Sequence, residues 1–199
     1  MHADYYSAAE WKKIMAFSKT RETPFLIVLL DRVRKKFEEF RAHFPEAKIY
    51  YAVKASPGQE ILTLLRDLGA YFDIASVYEL DQVLELGVAP DRISFGNTIK
   101  KARHIRDAYA KGVRLFASDS EADIRHLAQE APGSRIFFRL LVDAVTSDSD
   151  WPLSRKFGCQ PRMLAELVSL AANLGLEPYG ISFHVGSQQR EIPAWDAAI

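Results

Sequence analysis

Cysteine is almost absent from this chain: Cys159 is the single example among 199 residues. One thiol excludes an internal disulfide and any cysteine cluster for zinc or an iron–sulfur centre. An excess of either charge is missing too, with 26 basic residues set against 26 acidic ones. That balance gives no electrostatic reason to expect nucleic acid or an anionic membrane as a partner. No apolar run approaches the roughly 20 residues needed to span a bilayer. The opening Met1-His2-Ala3-Asp4-Tyr5-Tyr6 has no basic region leading into an apolar core, so no secretory signal is evident. The five histidines are scattered without partners at ligand spacing, which leaves no metal motif. What remains is 48% hydrophobic, enough for a sizeable core, with the reducing cytoplasm as the expected setting.

The chain alternates two kinds of segment. Phe25–Leu30 reads as a first apolar strand, followed by a helix over roughly Asp31 to His43. Strands are then expected at Lys48–Val53, Tyr71–Ala75, Arg92–Phe95, Val113–Ala117, Arg135–Val142 and Tyr179–Val185. Helical stripes lie between them: Ile61, Leu62, Leu65 and Leu68 before Gly69; Leu80, Val83 and Leu84 before Gly87; Ile124, Leu127 and Ala128; Leu164, Leu167, Val168 and Ala171. Strand–helix alternation near every twenty residues predicts an α/β fold with a parallel sheet and right-handed crossovers, able to curl into a barrel. Ser76-Val77-Tyr78-Glu79 predicts a capping box in which Glu79 reaches back to the Ser76 amide, a structural role for Glu79. Asp143 to Asp150 reads as an exposed polar loop.

Six strands follow from Lys48 onward, whereas a barrel of this type closes with eight. The final stretch, Glu191 to Ile199, looks like the opening of a helix cut short. The expectation is an N-terminal segment over 1–23 and, over 24–199, part of a barrel domain.

Two strand ends carry chemistry. Ile49-Tyr50-Tyr51-Ala52-Val53-Lys54 ends an apolar run in a lysine, with Lys54 on the same face as Tyr50 and Ala52. Barrels of this kind place their chemistry at the carboxyl ends of the strands. Desolvation there would free the amine as a nucleophile; the alternative is a lysine snorkelling from a strand end. In Gly180-Ile181-Ser182-Phe183-His184-Val185-Gly186-Ser187, His184 again sits at a carboxyl end, and the Gly186-Ser187 turn could hold an anion such as phosphate.

Tyr50-Tyr51-Ala52-Val53-Lys54-Ala55, Phe72-Asp73-Ile74-Ala75-Ser76, Lys156-Phe157-Gly158 and Phe183-His184-Val185-Gly186-Ser187 occur in this order. Together they resemble the fold-type III pyridoxal-phosphate decarboxylases, the ornithine/lysine/diaminopimelate group. Ile93-Ser94-Phe95-Gly96-Asn97-Thr98-Ile99-Lys100-Lys101 and Trp151-Pro152-Leu153-Ser154-Arg155-Lys156-Phe157-Gly158 resemble most the bacterial ornithine-decarboxylating members. The resemblance runs from Pro24 onward and implies a (β/α)8 TIM-type barrel of the alanine racemase-like kind.

It also implies roles. Lys54 would hold pyridoxal 5'-phosphate covalently and yield its place to the substrate amine. His184 would stack on the pyridine ring, and Ser187 would contact the phosphate. Asp73 and Arg139, the latter at the start of the fifth barrel strand, would line the pocket near the cofactor's polar substituents. Lys156 and the Phe157-Gly158 turn would lie at the interface of a homodimer. The implied reaction is decarboxylation of ornithine to putrescine, a step of polyamine biosynthesis. Lysine, diaminopimelate or a carboxylated polyamine are alternative substrates, and a non-catalytic decarboxylase-like regulator is the alternative class. Ser56 departs from the family's usual asparagine after the lysine motif. The family's glycine-rich phosphate loop, the acid facing the pyridine nitrogen and the β-domain would lie beyond Ile199.

Overall fold

The computed structural model describes residues 5–142, 149–151, 156–191, 193–196 and 198–199. Six strands form one sheet: β1 (Tyr50–Ala52), β2 (Tyr71–Ile74), β3 (Ile93–Phe95), β4 (Leu115–Ser118), β5 (Arg135–Arg139) and β7 (Glu177–Ser182), adjacent in that order. Every pairing in it is parallel. A second, two-stranded antiparallel sheet joins β6 (Ser149–Trp151) to β8 (Ser187–Gln189). The helices are α1 (Ala8–Ser18), α2 (Leu30–His43), α3 (Gln59–Asp67), α4 (Val77–Glu85), α5 (Ala102–Ala110), α6 (Glu121–Glu130), α7 (Pro161–Asn173) and the short α8 (Pro193–Asp196).

All four expected stripes are helices, and each turns its apolar side onto the sheet. Ile61, Leu62 and Leu65 of α3, Leu80 and Val83 of α4, Ile124 and Leu127 of α6, and Leu167 and Ala171 of α7 are buried. Gly69 and Gly87 leave α3 and α4 at φ 89° and 81°, a backbone that a Cβ would strain. From the sheet side, Phe72, Ile74, Ile93, Phe95, Phe116, Ile136 and Phe138 meet these helices. Each such side chain contributes about 1.5–3 kcal/mol through burial. Alternation sends their neighbours to the opposite face, so Asp73 in β2 and Arg139 in β5 point away from the helices. That face carries the site.

The structure differs from the sequence-based expectation at several points. Phe25–Leu30 is not a strand, and Phe25, Leu26 and Val28 are exposed. β propensity is realised only where another strand offers a ladder. Here the segment runs along α1 instead, and Ile27 and Leu29 share an apolar groove with Ile14 and Phe17. The helix α1 was not expected, although Ser7 and Glu10 form a full capping box at its start, a legible signal. The helix α5 escaped because only Ile105 and Ala108 mark its buried side. At α4, Ser76 Oγ accepts the Glu79 amide, but the Glu79 carboxylate reaches the Ala75 amide at 2.6 Å rather than that of Ser76. Of the expected loop over 143–150, residues 143–148 lie outside the described residues, and Ser149 and Asp150 belong to β6.

One buried ion pair ties the loops after β3 and β4. Lys100 donates to Asp123 Oδ2 at 2.8 Å, to Ala117 O at 2.6 Å and to Asn97 O at 3.0 Å, which uses all three of its protons. Ser118 Oγ donates to the same Asp123 oxygen at 2.8 Å. The two charged side chains are 0% and 8% exposed. Burial pushes the Lys100 ammonium down and the Asp123 carboxyl up, and each charge opposes the shift of the other. Removing one partner leaves a buried charge alone. Lys100→Met should therefore cost about 3–5 kcal/mol in a urea melt, while Lys100→Met/Asp123→Leu should recover most of that loss. Equal stability of the single variant and the parent would show that the pair contributes nothing to the fold.

Candidate active site

The site begins with strand register. Ala52, Asp73 and Ser94 are successive partners across β1, β2 and β3, so they stand level on the face away from the helices. Ser94 is 4% exposed, and its hydroxyl donates to Asp73 Oδ1 at 2.7 Å. Just beyond β3, Gly96 lies beneath the same carboxylate: a Cβ there would sit 2.1 Å from Asp73 Oδ1. Burial pushes the Asp73 carboxyl up; the Ser94 hydroxyl, the Lys54 charge and the Gly96 amide oppose the rise, and Glu79 adds to it.

Asp73, Ser94 and Gly96 form one wall of a cavity of about 440 Å³. Tyr50, Phe137, Arg139 and His184 line it as well. Arg139 is the last residue of β5 rather than its start, because the ladder with β4 begins at Arg135. Its guanidinium lies 5.0 Å from the centre of the Phe157 ring. Burial pushes its pKa down, against the charges of Asp119 and Asp73. Asp119 in turn accepts the Gly158 amide at 2.8 Å, which seats the Phe157-Gly158 turn beside Arg139.

Lys54 is not at the end of a strand: β1 stops at Ala52, and Val53–Ala55 form a 3-10 turn with Val53 fully buried. The turn leaves Lys54 exposed, so the described residues do not supply the desolvation expected of it. The turn follows β1, the strand that pairs with β2, and Lys54 itself does not line the cavity.

His184 follows β7 by two residues and keeps access to solvent. The Gly186 amide donates to its Nδ1 at 2.8 Å. An amide can only donate, so Nδ1 carries no proton and the neutral ring bears its hydrogen on Nε2. Gly186, at φ 106°, makes that turn possible. Partial burial pushes the His184 pKa below its ordinary value, and the cations Arg139 and Lys54 add to the shift.

Three of the five expected residues line the cavity: Asp73, Arg139 and His184; Lys54 stands on the turn after β1, outside that lining. Ser187 does not line the cavity; it is half-buried in β8, opposite Trp151 across the small sheet. Ser94 and Gly96 were not singled out by sequence reasoning, because a serine and a glycine acquire meaning only from the register that sets them against Asp73. Among the described residues, no cluster of His, Cys, Asp and Glu could hold a metal ion, and no helix is long and apolar enough to cross a membrane.

Residues 30–199 match the family model for the pyridoxal-dependent decarboxylases, pyridoxal binding domain. The lysine/ornithine decarboxylase of Selenomonas ruminantium is 36% identical over 188 residues, which cover 94% of this chain and 47% of that protein.

Antizyme inhibitor 2 of Xenopus laevis is 35% identical over 182 residues, which cover 92% of this chain and 39% of that protein.

A crystal structure of SrLDC in complex with PLP and cadaverine superposes with a TM-score of 0.85 at 35% identity, covering 97% of this chain and 47% of that one. The chain thus spans less than half the length of these relatives.

The His184 geometry predicts a pH response. Its folded pKa lies below the ordinary value near 6.5, so the unfolded chain takes up the proton first. Stability contributed by this group is full above about pH 6.5 and falls as pH drops toward the folded pKa. Nitrogen-15 spectra of the ring should show a neutral Nε2–H tautomer at pH 7 and a midpoint below that of a histidine peptide. Gly186→Ala, strained at its positive φ, should raise the midpoint by releasing the amide. A ring protonated at Nδ1 at pH 7 would overturn the assignment.

Proposed function

The chain belongs to the pyridoxal-dependent decarboxylases, and we propose that it forms the cofactor-holding part of an enzyme that converts ornithine to putrescine. The observation that carries this reading is the meeting of Asp73 from β2, Arg139 from the end of β5 and His184 from just beyond β7 around one cavity, with Lys54 on the turn after β1, the strand that pairs with β2. The donor set suits pyridoxal phosphate. It offers an amine to capture an aldehyde, a guanidinium for anionic substituents, and a neutral flat ring to lie against another. The cavity, about 440 Å³, lies within the usual range for small-molecule sites. When bound, the cofactor supplies an electron sink for the carbanion left when carbon dioxide departs.

The chain's own residues have distinct tasks in this reading. Lys54 stands exposed on its turn, so its amine can reach a ligand and yield to a substrate amine. His184, pinned at Nδ1, offers a face rather than an acid. Arg139 and Asp73 orient the polar substituents, and Ser187 would contact the phosphate. Exposed Lys156 and the Phe157-Gly158 turn would meet a second subunit in a cytoplasmic homodimer. Ornithine is the first substrate, with lysine, diaminopimelate or a carboxylated polyamine as alternatives. Similarity to an antizyme inhibitor favours a second reading, a non-catalytic regulator, against which the retained Lys54 and His184 weigh.

Two experiments on the whole protein test the proposal. Bound pyridoxal phosphate should give visible absorbance that Lys54→Ala abolishes, with carbon dioxide release from ornithine falling at least about a hundredfold. Borohydride reduction and peptide mapping should place the pyridoxyl group on Lys54; a different lysine would refute the assignment, and absent turnover of every basic amino acid would favour the regulator. His184→Phe should retain cofactor better than His184→Ala, since stacking needs an aromatic face. Equal retention by both variants and the parent would remove His184 as a ring partner.

A further inference from the structure

Ser94 has no part in the roles assigned so far, yet it is buried on the cavity wall and its hydroxyl is committed to Asp73. We infer that Ser94 is a positioning residue of the cofactor pocket: it fixes the Asp73 carboxylate over the bare Cα of Gly96, aimed into the cavity. The inference rests on the proposed cofactor site and adds to it a residue that acts through Asp73.

Three observations support it. The strand register sets Asp73 and Ser94 directly opposite each other, so the bond is built into the sheet. A Cβ on Gly96 would overlap the carboxylate in its present position, so the seat depends on a residue without one. The small Ala52 stands opposite Asp73 on the other side and leaves the level open. A hydroxyl that donates to a carboxylate favours its charged form. Around Asp73, Lys54 from the turn after β1 and Arg139 of β5 are the facing cations; Glu79 of α4 is the facing acid, and Tyr50 of β1 lies within range of the carboxylate's charge. Burial alone would favour the neutral acid, and Ser94 counters it.

The test compares the whole protein with Ser94→Ala, Asp73→Asn and the double variant, reading pyridoxal phosphate affinity by absorbance titration across pH. Ser94→Ala should bind roughly tenfold more weakly, the loss expected for a hydrogen bond to a charged group. Its affinity should also fail at higher pH on acidification, because more of Asp73 is then protonated. In the Asp73→Asn background the same Ser94 change should cost little. An equal loss in both backgrounds would mean that Ser94 merely packs, and no loss in either would remove it from the site. Carbon-13 titration of the Asp73 carboxyl, which needs no cofactor, should move upward in Ser94→Ala. If the parent binds no pyridoxal phosphate, the proposed function fails, and this titration still decides the role of Ser94.

Discussion

Everything at the site hangs on the register of the parallel ladder. Levelling Ala52, Asp73 and Ser94 sends one row of side chains toward the cavity while Phe72, Ile74 and Phe95 go under the helices. A slip of one residue would exchange those faces, forcing the Asp73 carboxylate into an apolar layer and Phe72 out of it. The apolar helical stripes therefore enforce the site from behind, although none of their residues touches it.

The charges collected at the rim are kept in balance by their surroundings. Lys54 and Arg139 favour an ionised Asp73 and an unprotonated His184, while burial acts against the charged forms of Asp73, Arg139 and His184. Asp119 bridges two parts of this arrangement, holding the Gly158 amide and opposing the loss of charge at Arg139. Farther out, Lys100 and Asp123 tie the segment after β3, which carries Asn97, to the end of β4 at Ser118, so the rim rests on a buried polar brace.

The sheet was legible in the sequence because its strands are short apolar runs between helical stripes, and burial on the helix side demands that pattern. Lys54 and His184 drew notice because each follows such an apolar run. Their finer settings were not legible: the 3-10 turn under Lys54 and the Gly186 bond to His184 come from local backbone geometry. Ser94 and the Lys100–Asp123 pair were silent because each takes its meaning from a partner 21 or 23 residues away. Phe25–Leu30 misled for the opposite reason, since its composition favours a strand that no neighbour completes among the described residues.

The strand order β1-β2-β3-β4-β5-β7 has a kinetic consequence. Along the first five strands, each ladder joins a strand to the next one in the chain, with a single α-helix in each connection. Closing these connections costs less entropy than closing longer ones would, and each closure depends only on residues already present upstream. The sheet can therefore grow from one edge in the order in which a ribosome delivers it, with Asp73 meeting Ser94 before Arg139 has been made.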